Sequence, residues 1–160
     1  FLQLDLSTYP VPALPPSGYL WFFAGDDVGA VLHSPGGVPL TRRPSKNVAL
    51  KCTPFRLVHF EDVPDEPGVP LTDAESDNYV EIRSYLSGED QFLGWATPVQ
   101  DPEELDGPSR EVPAAERLLL QLSSEGISPG GPDGAGYFLI RPDDLAAQRF
   151  DRVRFTTQFT

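Results

Sequence analysis

Apolar and polar positions alternate from the first residues: Leu2, Leu4 and Leu6 fall on one side, Gln3 and Asp5 on the other, which predicts a strand. Pro10, Pro12, Pro15 and Pro16 then exclude regular pairing and predict an extended surface connection. Gly18 to Ala24 is a nearly continuous apolar run, expected as a strand buried on both faces. Asp26-Asp27 reads as the turn of a hairpin leading into a strand at Ala30–His33. Two more strands are expected at Val48–Cys52 and Phe55–Phe60. The main helix is predicted over about 72–87: Thr72 with Glu75 fits a capping box, Asp73 suits the positive end, and Tyr79, Ile82 and Leu86 form an apolar stripe. Gln91 to Gln100 reads as a short irregular connection around Gly94-Trp95. Beyond a polar linker, strands are expected at Arg117–Leu122 and Gly136–Ile140. A short helix over about 142–149 follows, opened by Pro142 with Asp143 and Asp144 in its first turn, and then a last strand at Arg152–Phe159.

The pattern repeats. Leu2-Gln3-Leu4 followed by Gly18-Tyr19-Leu20-Trp21-Phe22 returns as Leu120-Gln121-Leu122 followed by Gly136-Tyr137-Phe138-Leu139-Ile140, 118 positions later and at the same internal spacing. This points to an internal pseudo-repeat of strand–loop–strand units, 1–24 and 119–142, within a single domain spanning 1–160. The expected fold class is α+β and β-rich, with roll-like mixed or antiparallel sheets built from the duplicated unit. Phe1 lies inside a strand pattern, so a further N-terminal segment is expected upstream.

Composition narrows the classes. At 160 residues with 39% hydrophobic content the chain suits one domain with a real core, and 18 prolines with 14 glycines favour many turns and short strands. A formal net charge of −12 opposes binding to nucleic acid and to anionic lipid surfaces. One cysteine, Cys52, excludes an intrachain disulfide and favours a reducing compartment. No apolar run approaches the length of a membrane span.

Candidate chemistry is sparse. His33 and His59 are the only imidazoles, and with Cys52 they have no metal-ligand spacing. A Cys52–His59 thiolate pair lacks the surrounding turn that would activate it and is set aside. Asp26, Asp27, Asp143 and Asp144 are the candidate carboxylates for a bound metal, although a turn and a helix start are the ordinary explanation for them. The glycines at 130, 131, 134 and 136 precede a strand and so do not form a phosphate cradle. Arg42, Arg43 and Lys46 head the one basic cluster and, with Trp95, are the candidate interaction residues. No catalytic residue and no cofactor is expected.

The segment Gly94-Trp95-Ala96-Thr97-Pro98-Val99-Gln100-Asp101 and the closing run from Leu119 through Gly136-Tyr137-Phe138-Leu139-Ile140-Arg141-Pro142-Asp143-Asp144 to Val153-Arg154-Phe155 resemble the YwqG-like family, bacterial domains of unknown function. The resemblance covers essentially the whole chain and is strongest from Leu119 to Gln158. It implies a β-rich, roll-like cytoplasmic domain with no established catalytic residue, and an association of some relatives with toxin genes. Two departures are visible: Trp95 stands where relatives often carry Gly or another aromatic, and Gly130-Gly131-Pro132-Asp133-Gly134 replaces a Trp-Gly-Asp type of turn. The expected function is a non-catalytic protein-binding module of immunity or assembly type, with an unidentified protein partner. The alternatives are a metal-dependent hydrolase using the surface carboxylates, and a small-ligand binder between the two halves, lined by Tyr19, Trp21, Tyr137 and Phe138.

Overall fold

The computed structural model describes residues 2–25, 28–37, 39, 53–59, 61–64, 67–86, 90–100, 116–124 and 133–160. Two antiparallel sheets share one interior. The first has three strands in the order β1 (Leu2–Asp5), β2 (Tyr19–Ala24) and β3 (Gly29–Ser34). The second has four: β4 (Gln91–Phe92), β5 (Arg117–Ser123), β6 (Gly134–Ile140) and β7 (Arg154–Phe159). Helix α1 spans Asp73–Leu86, helix α2 spans Pro142–Ala146, and a 3-10 turn follows at Phe150–Arg152. The fold is α+β and β-rich, as the alternation predicts.

Each sheet buries one face against the other. Leu4, Leu20, Phe22 and Val31 from the first meet Leu120, Leu122, Phe138 and Ile140 from the second in one cluster. Phe22 sits at its centre, edge-on to Phe92 at 6.2 Å and to Phe138 at 5.2 Å. Leu145 of α2 and Phe150 of the 3-10 turn close one end of the cluster. Fully burying side chains of this size contributes about 1.5–3 kcal/mol each.

Several expectations change in detail. β2 is buried on one face only: Leu20 and Phe22 point inward, whereas Tyr19, Trp21 and Phe23 point outward. Its apolar continuity marks an outward aromatic face, not a doubly covered strand. The strand expected at Phe55–Phe60 does not form over the described residues 55–59, where only Leu57 packs on the core. The one at Val48–Cys52 lies outside the described residues. The short helix stops at Ala146, and Gln148 takes a left-handed φ of 55° before the 3-10 turn.

Helix α1 starts where its cap requires. The Glu75 carboxylate accepts from the Thr72 backbone N–H at 2.9 Å and from the Thr72 hydroxyl at 2.7 Å. These bonds hold the Glu75 carboxyl below its ordinary range. Of the stripe beyond it, Ile82 is exposed, and Tyr79 is half-buried with its hydroxyl donating to Pro64 O at 2.6 Å.

Both sheets run as antiparallel meanders, and the repeated segments form their neighbouring strands. The registers differ by two residues. Leu2 faces Phe22, but Leu120 faces Phe138 instead of Ile140, after a bulge between Leu118 and Leu120. Gly18 precedes β2 with φ 107°, whereas Gly136 lies within β6.

Candidate functional site

The two outer faces carry the polar and aromatic groups that the core does not use. On the four-stranded sheet, Gln91 lies opposite Gln121, and Gln121 opposite Tyr137, so strands β4, β5 and β6 place one hydrogen-bonding side chain each in a row across the outer face. Gln158 of β7 sits one step along, opposite Ala135. The three glutamines are only 2–3% exposed. Buried amides require partners, and here the partner is a strap of the chain itself.

After Phe92 the chain turns sharply. Leu93 adopts φ 62° and Gly94 φ 80°, and the segment to Gln100 folds back over the sheet's outer face. Gly94 is required at the turn, because a Cβ there would meet the Asp62 carboxylate and the Gln91 amide. Asp62 Oδ2 anchors the start of the strap, accepting from Trp95 N at 2.6 Å and from Gln91 Nε2 at 2.8 Å. Gln91 Nε2 also donates to Leu93 O at 3.1 Å and Trp95 O at 2.9 Å. Further along, Thr97 N donates to Gln121 Oε1 at 2.8 Å, and the Tyr137 hydroxyl donates to Thr97 O at 3.0 Å. Val99 N and Gln100 N both donate to Gln158 Oε1, at 2.9 and 3.1 Å. Four strands thus hold one segment by its main chain. Below it, Leu118, Ala135, Tyr137 and Leu139 form a second apolar cluster, on which Ala96 packs.

Burial under the strap pushes the Tyr137 phenol up to about 12, although its bond from Val99 N pulls in the other direction. One atom is left over: Gln91 Oε1 is buried without a partner among the described residues. Such an atom costs on the order of 1–3 kcal/mol.

The outer face of the three-stranded sheet is part-covered, with Tyr19 and Trp21 half-buried. Tyr19 and Trp21 stack at 5.7 Å, and the Trp21 indole N–H donates to Gln3 Oε1 at 2.9 Å. Leu32 lies directly across from Trp21 and is 56% exposed, and Phe23 beside them is 40% exposed. On the inner side His33 stands edge-on to Phe150 at 5.3 Å, its Nε2 buried without a partner among the described residues. Burial pushes this imidazole below its ordinary range.

The residues singled out from sequence fall in different places. Asp143 and Asp144 occupy the first turn of α2 but diverge: Asp143 is exposed, while Asp144 is buried and ion-paired with Arg149. Asp26, Asp27, Arg42, Arg43 and Lys46 lie outside the described residues. Among the described residues no group of three or more His, Cys, Asp or Glu is placed to hold a metal ion. Trp95 is 37% exposed at the start of the strap, its backbone fixed at both N–H and C=O. The four aromatics expected to line one pocket do not converge: Tyr19 and Trp21 lie on one outer face, Tyr137 on the other, and Phe138 in the core between. Sequence reasoning missed the glutamine row and Asp62. A usable signal was present, because Gln121 interrupts the apolar run Leu118–Leu122, and a polar residue in such a strand needs a partner.

Among the described residues no helix is long and apolar enough to cross a membrane. No curated protein matches the chain. One family model does, over nearly the whole length, from residue 1 to 158, and the chain therefore belongs to the DUF1963 family, domains of unknown function.

Proposed function

We propose that the chain is a non-catalytic protein-binding module of YwqG-like, immunity or assembly type, acting in a reducing cytoplasm and meeting a protein partner through the outer face of β1–β2–β3. The observation that carries this reading is the aromatic and aliphatic outer face made by Tyr19 and Trp21, both half-buried, with Phe23 and Leu32, both exposed. A contiguous exposed apolar patch marks a contact surface, and Trp and Tyr anchors supply most of the affinity in such surfaces. Trp21 is already oriented by Gln3, so little side-chain freedom is lost on contact. The net charge of −12 turns the surface away from nucleic acid and anionic lipid and toward a protein with neutral or basic surroundings.

The test is a pull-down from the source cell at moderate salt, with the full chain and with Trp21→Ala and Leu32→Glu. A stoichiometric partner should be held by the parent and lost by both variants, each weakening the complex by about 2 kcal/mol or more. Retention of that partner by both variants would move the surface elsewhere. Recovery of no partner by the parent would end the module reading itself.

A further inference from the structure

The segment Leu93–Gln100 lies on the four-stranded sheet as a ligand lies in a site. The contacts that Gln121, Tyr137 and Gln158 make with it end on its main chain: Thr97 N and O, Val99 N and Gln100 N. A surface that reads N–H and C=O groups accepts an extended backbone with little regard for sequence, as strand-addition sites do. The bonded main-chain groups fall at residues 95, 97 and 99, the two-residue period of extended chain, with Gln100 N added at the end. The four reading groups that the strands supply are uncharged, and the one charged group beside them, the Asp62 carboxylate, accepts an N–H; this suits peptide groups and neither phosphate nor carboxylate.

The strap fills this place without sealing it. Ala96 is the side chain it lays on the apolar cluster of Leu118, Ala135, Tyr137 and Leu139, while Trp95 and Val99 remain partly open. Its first residues form a ready hinge, Leu93 and Gly94 in consecutive left-handed conformations. Among the described residues it also leaves the buried Gln91 Oε1 unmet, although the other end of the same amide holds Leu93 O and Trp95 O.

We infer that the outer face of β4–β5–β6–β7 is a binding groove for an extended, uncharged polypeptide segment with a small residue over the Leu118–Leu139 cluster, and that the strap is its occupant in cis, displaced when such a segment arrives. The groove lies on a different face from the aromatic patch, so it stands or falls independently of the partner proposed there. Competition in cis weakens apparent affinity by the fraction of molecules with the strap lifted. Loosening the strap while leaving the groove intact therefore tightens binding.

The probe is a fluorescein-labelled synthetic peptide with the sequence of Ala96–Gln100, which lacks the Trp95 N–H that Asp62 holds, titrated by anisotropy into the full chain. Asp62→Ala removes the acceptor at the strap's start and should bind the peptide about ten-fold more tightly than the parent. Adding Gln158→Ala to that variant should abolish the gain, and a peptide N-methylated at the Thr97 and Val99 positions should fail to bind. Amide exchange reads the same event without any substitution: saturating peptide should speed exchange at Trp95, Thr97 and Val99 of the parent chain. Should Asp62→Ala not fold by circular dichroism, this second measurement decides. Equal affinity for parent and folded Asp62→Ala, no binding by either, or strap amides unchanged by peptide would each overturn the inference.

Discussion

The outer faces of the two sheets begin from the same residues and end in different states. Gln3 and Gln121 both stand between two leucines and both point away from the shared core, yet Gln3 is exposed and Gln121 is 3% exposed. Gln3 turns its amide oxygen to a neighbouring indole on its own sheet, whereas Gln121 gives its oxygen to the backbone of a crossing segment. Tyr19 and Tyr137, equally matched in sequence, differ in the same way: one is half-buried and stacks on Trp21, and the other is fully buried beneath the strap. A strand's own residues decide which side is inward. Whether the outward side meets water or polypeptide is decided by what the rest of the chain brings to it.

The largest effect comes from attacking what the two sheets share. Phe138 touches Phe22 at 5.2 Å and Phe155 at 4.7 Å, so Phe138→Ala should cost about 3–5 kcal/mol in urea unfolding, with both sheets lost in one transition. Two separated transitions would show that the sheets are independent. Smaller effects should then distinguish the faces. Gln158→Ala removes the shared acceptor of Val99 N and Gln100 N, leaving Val99 N only its longer bond to the Tyr137 hydroxyl, and should cost about 1–3 kcal/mol. Gln3→Ala on the other outer face should stay within about 0.5 kcal/mol. Equal losses at the two positions would erase the contrast.

Titration separates the sheets from opposite ends of the pH scale. The Tyr137 pKa is raised to about 12, so its contribution is whole below the unfolded value near 10 and is lost as pH rises through the folded one. A phenol absorbance titration should show one ionisation near 12 that Tyr137→Phe removes. His33 is shifted the other way, lowered by burial. Its contribution is present above the unfolded imidazole value of about 6.5 and fades as pH falls through the folded one. Melting temperatures between neutral and mildly acid pH should fall, and His33→Phe should flatten that slope.

How much of this was legible follows from which interactions are local. Alternation in Leu2–Leu6 and in the closing strand located inward faces, because a strand's period of two is written residue by residue. The capping box of α1 was equally readable, since Thr72 and Glu75 lie three positions apart and bond to each other. The strap was not. Asp62 meets Trp95, Val99 meets Gln158 and Thr97 meets Tyr137 across long stretches of sequence, and nothing near any of these residues names its partner. The aromatic run of β2 misled for a related reason: continuous apolar sequence records a lack of polar groups, and both a covered and an open face satisfy that description.

β4 is only two residues long and ends in the left-handed pair Leu93-Gly94. A sheet margin so brief offers an arriving chain almost no ladder to extend, and the backbone beyond it departs from the plane at once. The same bend that lays the strap in place thus guards this border of the sheet against edge-to-edge stacking of one molecule on the next. Lengthening β4 by straightening that bend should therefore be judged first by colloidal behaviour, with light scattering rising at concentrations where the parent stays dispersed.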